Sequence, residues 1–436
     1  MASHPTAAAT LPTSPTTPTN LALTPLASDE RAFGWRDHAA LWFSLGVGLL
    51  VMQVGAYLVP ALGAQQALVT IVAGSIIGAG LLAWVAKLGC DSGLASAGLM
   101  HAVLGSAFAR LPIVLNIVQL IGWGTFELVV MRDATVAIGR QSGVLAGAFW
   151  PIAATLLWGG LLALLASGSM VALVRRLISR IALPLVVLSL LWLTWQFLAL
   201  AHAQGWEKVW QRPSDGSMGV PSALDLVIAM PISWLPLVAD YARHGSSGRA
   251  ALRSTWLGYA LANTWCYALG VLVALTLPST DLVTGLLLAQ GGLLALALIL
   301  IDEVDNAYGD TYSGAVSGHS LLPRWTIRQW GVTLAAVCTA LATVLPMHSL
   351  EPFLLMLSSV FVPLFGVILG RLAFGIDTVA LLQNARKAHG LPIAIWLAGI
   401  ATYCMFRAFA PSLGSSLPTL ALTFVLAWIT RPRPAR

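Results

Sequence analysis

Charge is what this chain has least of. Only 9% of its 436 residues are Asp, Glu, Lys or Arg, against about 25% in soluble domains, and that excludes a water-soluble globular protein. The short alternating segments of a β-barrel are also missing. Long apolar runs recur instead, each able to cross about 30 Å of hydrocarbon, with a mean hydropathy of +0.83. The four cysteines, Cys90, Cys266, Cys338 and Cys404, stand singly, without metal-ligand spacing or a disulfide framework. There is no P-loop, so ATP-driven work by this chain alone is excluded. There is no HExxH or convergent nucleophile set either, which argues against an intramembrane enzyme and against any cofactor.

A polytopic, all-α membrane protein is the class that is left. No Asp, Glu, Lys or Arg precedes Asp29, and the Ala/Thr/Pro composition there predicts a disordered tail over residues 1–30. Breaking the rest at charge clusters and Pro/Gly turns predicts twelve spans. They run 38–61, 67–88, 110–131, 143–168, 181–201 and 222–241, then 252–277, 283–308, 328–345, 350–373, 391–409 and 414–430. Residues 92–108 read as a short interfacial segment and 202–221 as an interfacial cap. With both termini cytoplasmic, 18 of the 23 basic residues fall on the cytoplasmic side; only Arg132, Arg140, Lys208, Arg212 and Arg407 fall outside. That bias follows the positive-inside rule. The net charge of +6 therefore reads as topology rather than as nucleic-acid binding.

Two spans carry signs of a break. Span one, "HAALWFSLGVGLLVMQVGAYLVP", contains Gly46, Val47 and Gly48 a third of the way along, where ordinary small-residue packing is the alternative. Span six, "MPISWLPLVADYARHG", sets Pro231, Ser233 and Pro236 around Trp234. Broken helices at membrane depth occur only against protein or a wet cavity, and transporters place them in corresponding positions of inverted repeats. Five spans separate these two, as a 5+5 inverted repeat requires.

Polar groups mark the depth. In "LPIVLNIVQLIGWGTFELVVMRDA" of span three, Asn116, Gln119, Trp123 and Glu127 share one helical face. An indole with a carboxyl one turn away suits a polar heterocycle, stacked on the ring and hydrogen-bonded at its edge; the bland alternative is a network that glues helices together. In "LILIDEVDNAYGDTYSGAVSG", Asp302, Glu303, Asp305, Asn306 and Asp310 crowd the end of span eight. Asp302, Asp305 and Asn306 fit one face, where oxygen ligands suit Na+ and protonated carboxyls suit H+. A solvated cytoplasmic helix end accounts for Asp310 better than for Asp302. Asp240 and Arg243 close span six as a local ion pair, a gate contact or a plain surface pair.

Residues 30 to 430 resemble the nucleobase:cation symporter-1 family, within it the bacterial hydroxymethylpyrimidine permeases near the cytosine permeases. The resemblance rests on "VLNIVQLIGWGTFEL", "MPISWLPLVADYARHG" and "DNAYGDTYSGAVS". It implies a LeuT-like fold with a first repeat over 31–201, a second over 222–373, two peripheral helices over 391–430 and a cytoplasmic tail over 431–436. It also implies a pyrimidine between spans one, three, six and eight. Trp123 and Trp234 are then its aromatic contacts, Glu127 its edge partner where relatives often use Gln, and Asn306 a further polar contact; Gln119 and Ser233 complete the expected substrate set. A coupling Na+ or H+ is expected near Gly46, Val47, Asp302 and Asp305. Gly48, Pro231, Pro236, Asp240 and Arg243 are expected in gating or structural roles. The chain departs from the family near the span-one break, where relatives place a characteristic Asn and Ser or Thr and this chain has "SLGVGLL", and in span eight, where carboxylates dominate in place of the usual paired small hydroxyl residues. The expected function is cation-coupled uptake of hydroxymethylpyrimidine or a related thiamine precursor across a bacterial inner membrane, with no protein partner. A cytosine or purine symporter is the alternative within the class, and an ion channel the alternative outside it.

Overall fold

A computed structural model describes residues 20–143, 147, 149–172, 180–345, 347 and 349–431. The described residues are helical apart from turns, connections and one isolated bridge between Phe33 and Gly245. Twelve segments follow the predicted order. Span one is Trp35–Ser44 with Leu49–Leu62, followed by Ala64–Ser92, Arg110–Gln141, Phe149–Ala166, Arg180–Gln204 and Val220–Ala242 as spans two to six. Spans seven to twelve are Gly248–Thr276, Gly292–Leu321, Ile327–Val344, Leu350–Leu372, Gly390–Phe409 and Ser416–Ile429. Among the described residues nine helices are long and apolar enough to cross a membrane, and the bent pair of span one makes ten. Span eight falls outside that set because of its acids, and span twelve because it has 14 residues.

Apolar side chains cover the outside. Leu156, Leu157 and Leu164 of span four and Leu188 and Trp195 of span five are mostly exposed, as expected for lipid-facing surfaces. Inside, spans one and seven touch backbone to backbone. A Cβ at Gly55 would lie 2.1 Å from the Tyr267 carbonyl oxygen, and one at Gly270 would lie 1.9 Å from that of Met52. Small residues permit this approach where lipid offers no hydrophobic drive.

Span one breaks where expected, with its halves bent by 57°. The break in span six is much slighter than predicted. Val220–Ser233 and Leu235–Ala242 meet at Trp234, whose φ of −85° and ψ of −13° stay in the helical region. Proline removes a backbone bond here, but neighbours answer the freed groups. Tyr267 Oη donates to the Val227 oxygen (3.0 Å), four residues before Pro231. The Gln119 and Asn116 amides donate to the Ser233 and Pro236 oxygens, both at 3.3 Å.

Three other expectations are corrected. Span eight runs 292–321, well beyond the predicted 283–308, because the chain turns at Gly291 (φ 69°) and the helix continues through the acids. Asp310 is therefore buried in mid-helix and not at a solvated end. The short segment expected over 92–108 is not a surface one: Ser96–Leu104 forms a helix whose nine residues are all buried in the protein. Residues 20–26 of the expected disordered tail are anchored on the bundle, while Ala27–Glu30 are exposed. Ala22 is fully buried beside Ala95 and Val316, Asn20 Nδ2 donates to the Ser320 oxygen (2.9 Å), and Leu26 N to the Gly93 oxygen (2.9 Å). Residues 1–19, Arg175, Arg176 and residues 432–436 lie outside the described residues.

Candidate functional site

The sharp bend in span one, the slight one in span six, and the polar faces of spans three and eight converge. Between them lies a cavity lined by Leu45, Val47, Gly48, Trp123, Glu127, Met230, Ser233, Trp234, Asn306 and Asp310, among others. It is tight: about 20 Å³ is open to the centre of a water-sized sphere, room for roughly one water. A ligand of ring size requires side chains to move. Two larger cavities continue away from the face carrying residues 20–31. One of about 280 Å³ shares Leu50 with the central cavity, and one of about 790 Å³, lined by Lys208 and Arg212, shares Gln53 with the second.

Each wall has a local cause. Trp123 packs edge-on against Phe353 of span ten, with centroids 5.1 Å apart. Trp234 packs edge-on against Trp42 at 6.1 Å, and its ring leaves only 3.2 Å to a Cβ built on Gly309. Asn306 Nδ2 donates to the Val47 oxygen (2.9 Å) and to Glu303 Oε2 (3.3 Å). Glu303 accepts from Leu49 N, the first residue of the second half of span one. That carboxylate, from another span, supplies the acceptor that a helix N-terminus needs. No side chain of span one does so.

Several buried polar atoms here have no hydrogen-bond partner: Trp123 Nε1, Glu127 Oε2, Asn306 Oδ1, Gln119 Oε1 and Asp302 Oδ2. Buried polar groups are ordinarily satisfied, so such atoms beside a cavity mark where a ligand can bond. Next to the cavity, Ser44 Oγ lies 2.6 Å from Asp302 Oδ1 and 3.1 Å from Asp305 Oδ2. One hydroxyl proton cannot satisfy both carboxyls fully, so this pair calls for a cation or a further proton. Among the described residues no group of three or more His, Cys, Asp or Glu is arranged to hold a metal ion.

The structure thus gathers Trp123, Glu127, Ser233, Trp234, Asn306, Val47 and Gly48 around one cavity. Gly46 and the Asp302–Asp305 pair lie just outside it, and a Cβ at Gly46 would sit 3.0 Å from that of Ala262. Gln119 is not at the cavity. Its amide nitrogen is occupied by Asn116 Oδ1 (2.9 Å) and the Ser233 oxygen, so it props the span-six bend. Asp240 and Arg243 form no ion pair. Asp240 accepts from Ser96 N (2.8 Å) and Ser313 Oγ, while Arg243 Nη1 donates to the Leu21 oxygen (3.1 Å). Pro231 and Pro236 are buried in span six.

Residues 25–429 match the family model described as permease for cytosine/purines, uracil, thiamine, allantoin. The chain belongs to this family. The permease also shares its fold with solved transporters. Mhp1, a nucleobase-cation-symport-1 family transporter in a closed conformation with bromovinylhydantoin bound, is 15% identical, covering 95% of this chain and 94% of its own, with a TM-score of 0.77. A Na+-coupled sialic acid symporter in a substrate-bound outward-open state is 12% identical, covering 92% and 90%, with a TM-score of 0.63. MhsT in complex with L-phenylalanine is 15% identical, covering 90% and 98%, with a TM-score of 0.62. No protein of curated function matches the sequence. The fold is therefore LeuT-like, and the chain is a membrane permease rather than an enzyme.

Sequence reasoning missed three contributors to the permease's site. Glu303 stood in the acidic string with nothing to show that it caps span one. Asp310 looked like a helix end. Trp42 gave no signal beyond its aromatic type, yet it holds Trp234, Tyr241 and Tyr259 in edge-on contacts.

Proposed function

We propose that this permease takes up hydroxymethylpyrimidine, or a closely related thiamine-precursor pyrimidine, by cation symport. The observation that carries the reading is the set of partnerless polar atoms around one aromatic-walled cavity: Trp123 Nε1, Glu127 Oε2 and Asn306 Oδ1. The indoles of Trp123 and Trp234 offer faces and edges to a flat heterocycle, and the carboxyl and amide offer bonds to its rim. Ser233 supports the span-six wall by donating to the Met230 oxygen (2.7 Å).

The coupling cation, Na+ or H+, acts where the bend of span one at Gly46 and Val47 meets Asp302 and Asp305. Ser44 between those carboxyls links span one to span eight, so cation occupancy there bears on the angle of the break. Gly48, Pro231 and Pro236 serve the bends, and Asp240 and Arg243 hold the face bearing the N-terminus. The excess of basic residues on that face supports cytoplasmic termini in a bacterial inner membrane.

The test is uptake by proteoliposomes under imposed Na+ or H+ gradients, offering labelled hydroxymethylpyrimidine, cytosine, uracil and adenine. Saturable accumulation of the first is the expected result. Preference for cytosine or adenine replaces the substrate within the same pocket, whereas no accumulation of any base under either gradient removes the reading.

A further inference from the structure

We propose that Glu127 meets the substrate as a neutral acid, so that one carboxyl both recognises the heterocycle and carries the co-transported proton. This rests on the reading of the cavity as a pyrimidine site, and where the coupling cation is H+ it assigns that proton to Glu127, leaving the Asp302–Asp305 pair to Na+.

Glu127 is 5% exposed on span three, with Oε2 partnerless at the cavity wall. Among the described residues no Lys, Arg or His lines that cavity. The charged groups that bear on Glu127 are all acids of span eight: Glu303, then Asp310 and Asp302. Behind them, Cys266 of span seven lies near Asp302 and Glu303, and Cys338 of span nine near Asp310. The ion pairs Lys87–Asp91 and Arg132–Asp133 are elsewhere. Buried acids gathered with no base among them cannot all stay ionised. Glu303 has both oxygens answered by donors, Leu49 N and Asn306 Nδ2. Glu127 has no such donors, so the proton belongs on Glu127.

The chemistry of the ligand makes the same demand. An amino group beside a ring nitrogen offers one donor and one acceptor. A neutral carboxylic acid, O–H beside C=O, matches that edge with two hydrogen bonds, whereas a carboxylate sets an acceptor against the ring lone pair. Substrate arrival thus gives the Glu127 proton an acceptor, the ring nitrogen, and no covalent bond changes. Glu303 keeps its two donors, and because one of them starts the second half of span one, the state of Glu127 is felt at the break.

Glu127→Gln gives the decisive comparison, because a carboxamide imitates the neutral acid permanently. In wild-type proteoliposomes, affinity for hydroxymethylpyrimidine or cytosine falls about tenfold per pH unit once the proton is lost, and an inward proton gradient drives accumulation. In E127Q, affinity no longer varies with pH, and proton-driven accumulation is lost while counterflow persists. Counterflow also reports that E127Q is folded. Wild-type affinity that is independent of pH, or E127Q that still accumulates substrate under a proton gradient, overturns the proposal. If no base exchanges at all, the pyrimidine reading fails, and infrared spectra of ligand-free protein decide the proton separately. A buried carboxylic-acid carbonyl band that disappears in E127Q supports it, and an unchanged band overturns it.

Discussion

Span six carries two buried aspartates, and spans three and eight carry buried acids at the cavity; the two sets are built differently. Asp225 Oδ2 accepts from Ser415 N (2.5 Å) and Oδ1 from Ser416 N (2.9 Å), at the start of span twelve. Asp240 accepts from Ser96 N, at the head of the buried Ser96–Leu104 helix, and from Ser313 of span eight. Every oxygen of this pair has a donor from another helix. Glu127 Oε2 and Asp302 Oδ2 have none. A buried carboxyl answered on both oxygens ties helices together, whereas one with an orphan oxygen is poised for a ligand or a cation. Burial alone does not separate the two kinds.

The largest effect is expected from Asp240→Ala. It strands the Ser96 amide and Ser313 hydroxyl and leaves Arg243 buried without its nearby carboxyl, costing about 3 kcal/mol. A thermal melt in detergent measures it; an unshifted melting temperature would put Asp240 with the free acids and break the comparison. Glu127→Ala goes the other way. It removes an unsatisfied carboxyl, so the melt holds or rises, while pyrimidine affinity drops by about 2 kcal/mol, some thirtyfold, for the lost hydrogen bonds. Affinity retained in that variant removes Glu127 from the site.

Asp225→Ala is expected to cost about 1–2 kcal/mol, because its two bonds hold the head of one peripheral helix. Hydrogen exchange should rise across residues 415–429 with binding unaffected, and uniform exchange would make Asp225 incidental. A buried base sharpens the contrast with the smallest effect. His244, just past span six, is held at a pKa of about 3, first by burial and then by Arg243 and His38. Its folded value lies below the unfolded 6.5, so it stabilises the fold while neutral. That stability is lost as pH falls from about 6.5 toward 3, by up to about 1 kcal/mol in the first unit. His244→Asn should flatten the melting temperature between pH 6.5 and 5.5. An unchanged slope in the variant assigns the acid sensitivity to other groups.

Much of this was legible in the chain. The order of the long apolar helices, the break at "SLGVGLL" and the partnership of Trp123 with Glu127 follow from hydropathy, glycine placement and helical spacing, all local properties. Prolines at 231 and 236 overstated the bend in span six, because the donors that repair it, Tyr267, Gln119 and Asn116, belong to other spans. The same blindness placed Gln119 in the substrate set and ended span eight too early. An acidic string after an apolar run looks like a helix leaving the membrane until other spans are seen to bury it.

Composition and periodicity therefore determined that this protein crosses a membrane repeatedly and which faces of its helices are polar. Only the tertiary structure decided what each polar group meets. Leu49 finds Glu303, Val47 finds Asn306 and Ser44 finds Asp302 across separations of 254, 259 and 258 residues. Hydrophobicity acts on each segment by itself, so it can be read along the chain. A hydrogen bond needs its partner within about 3 Å, and only the folded bundle brings that partner there.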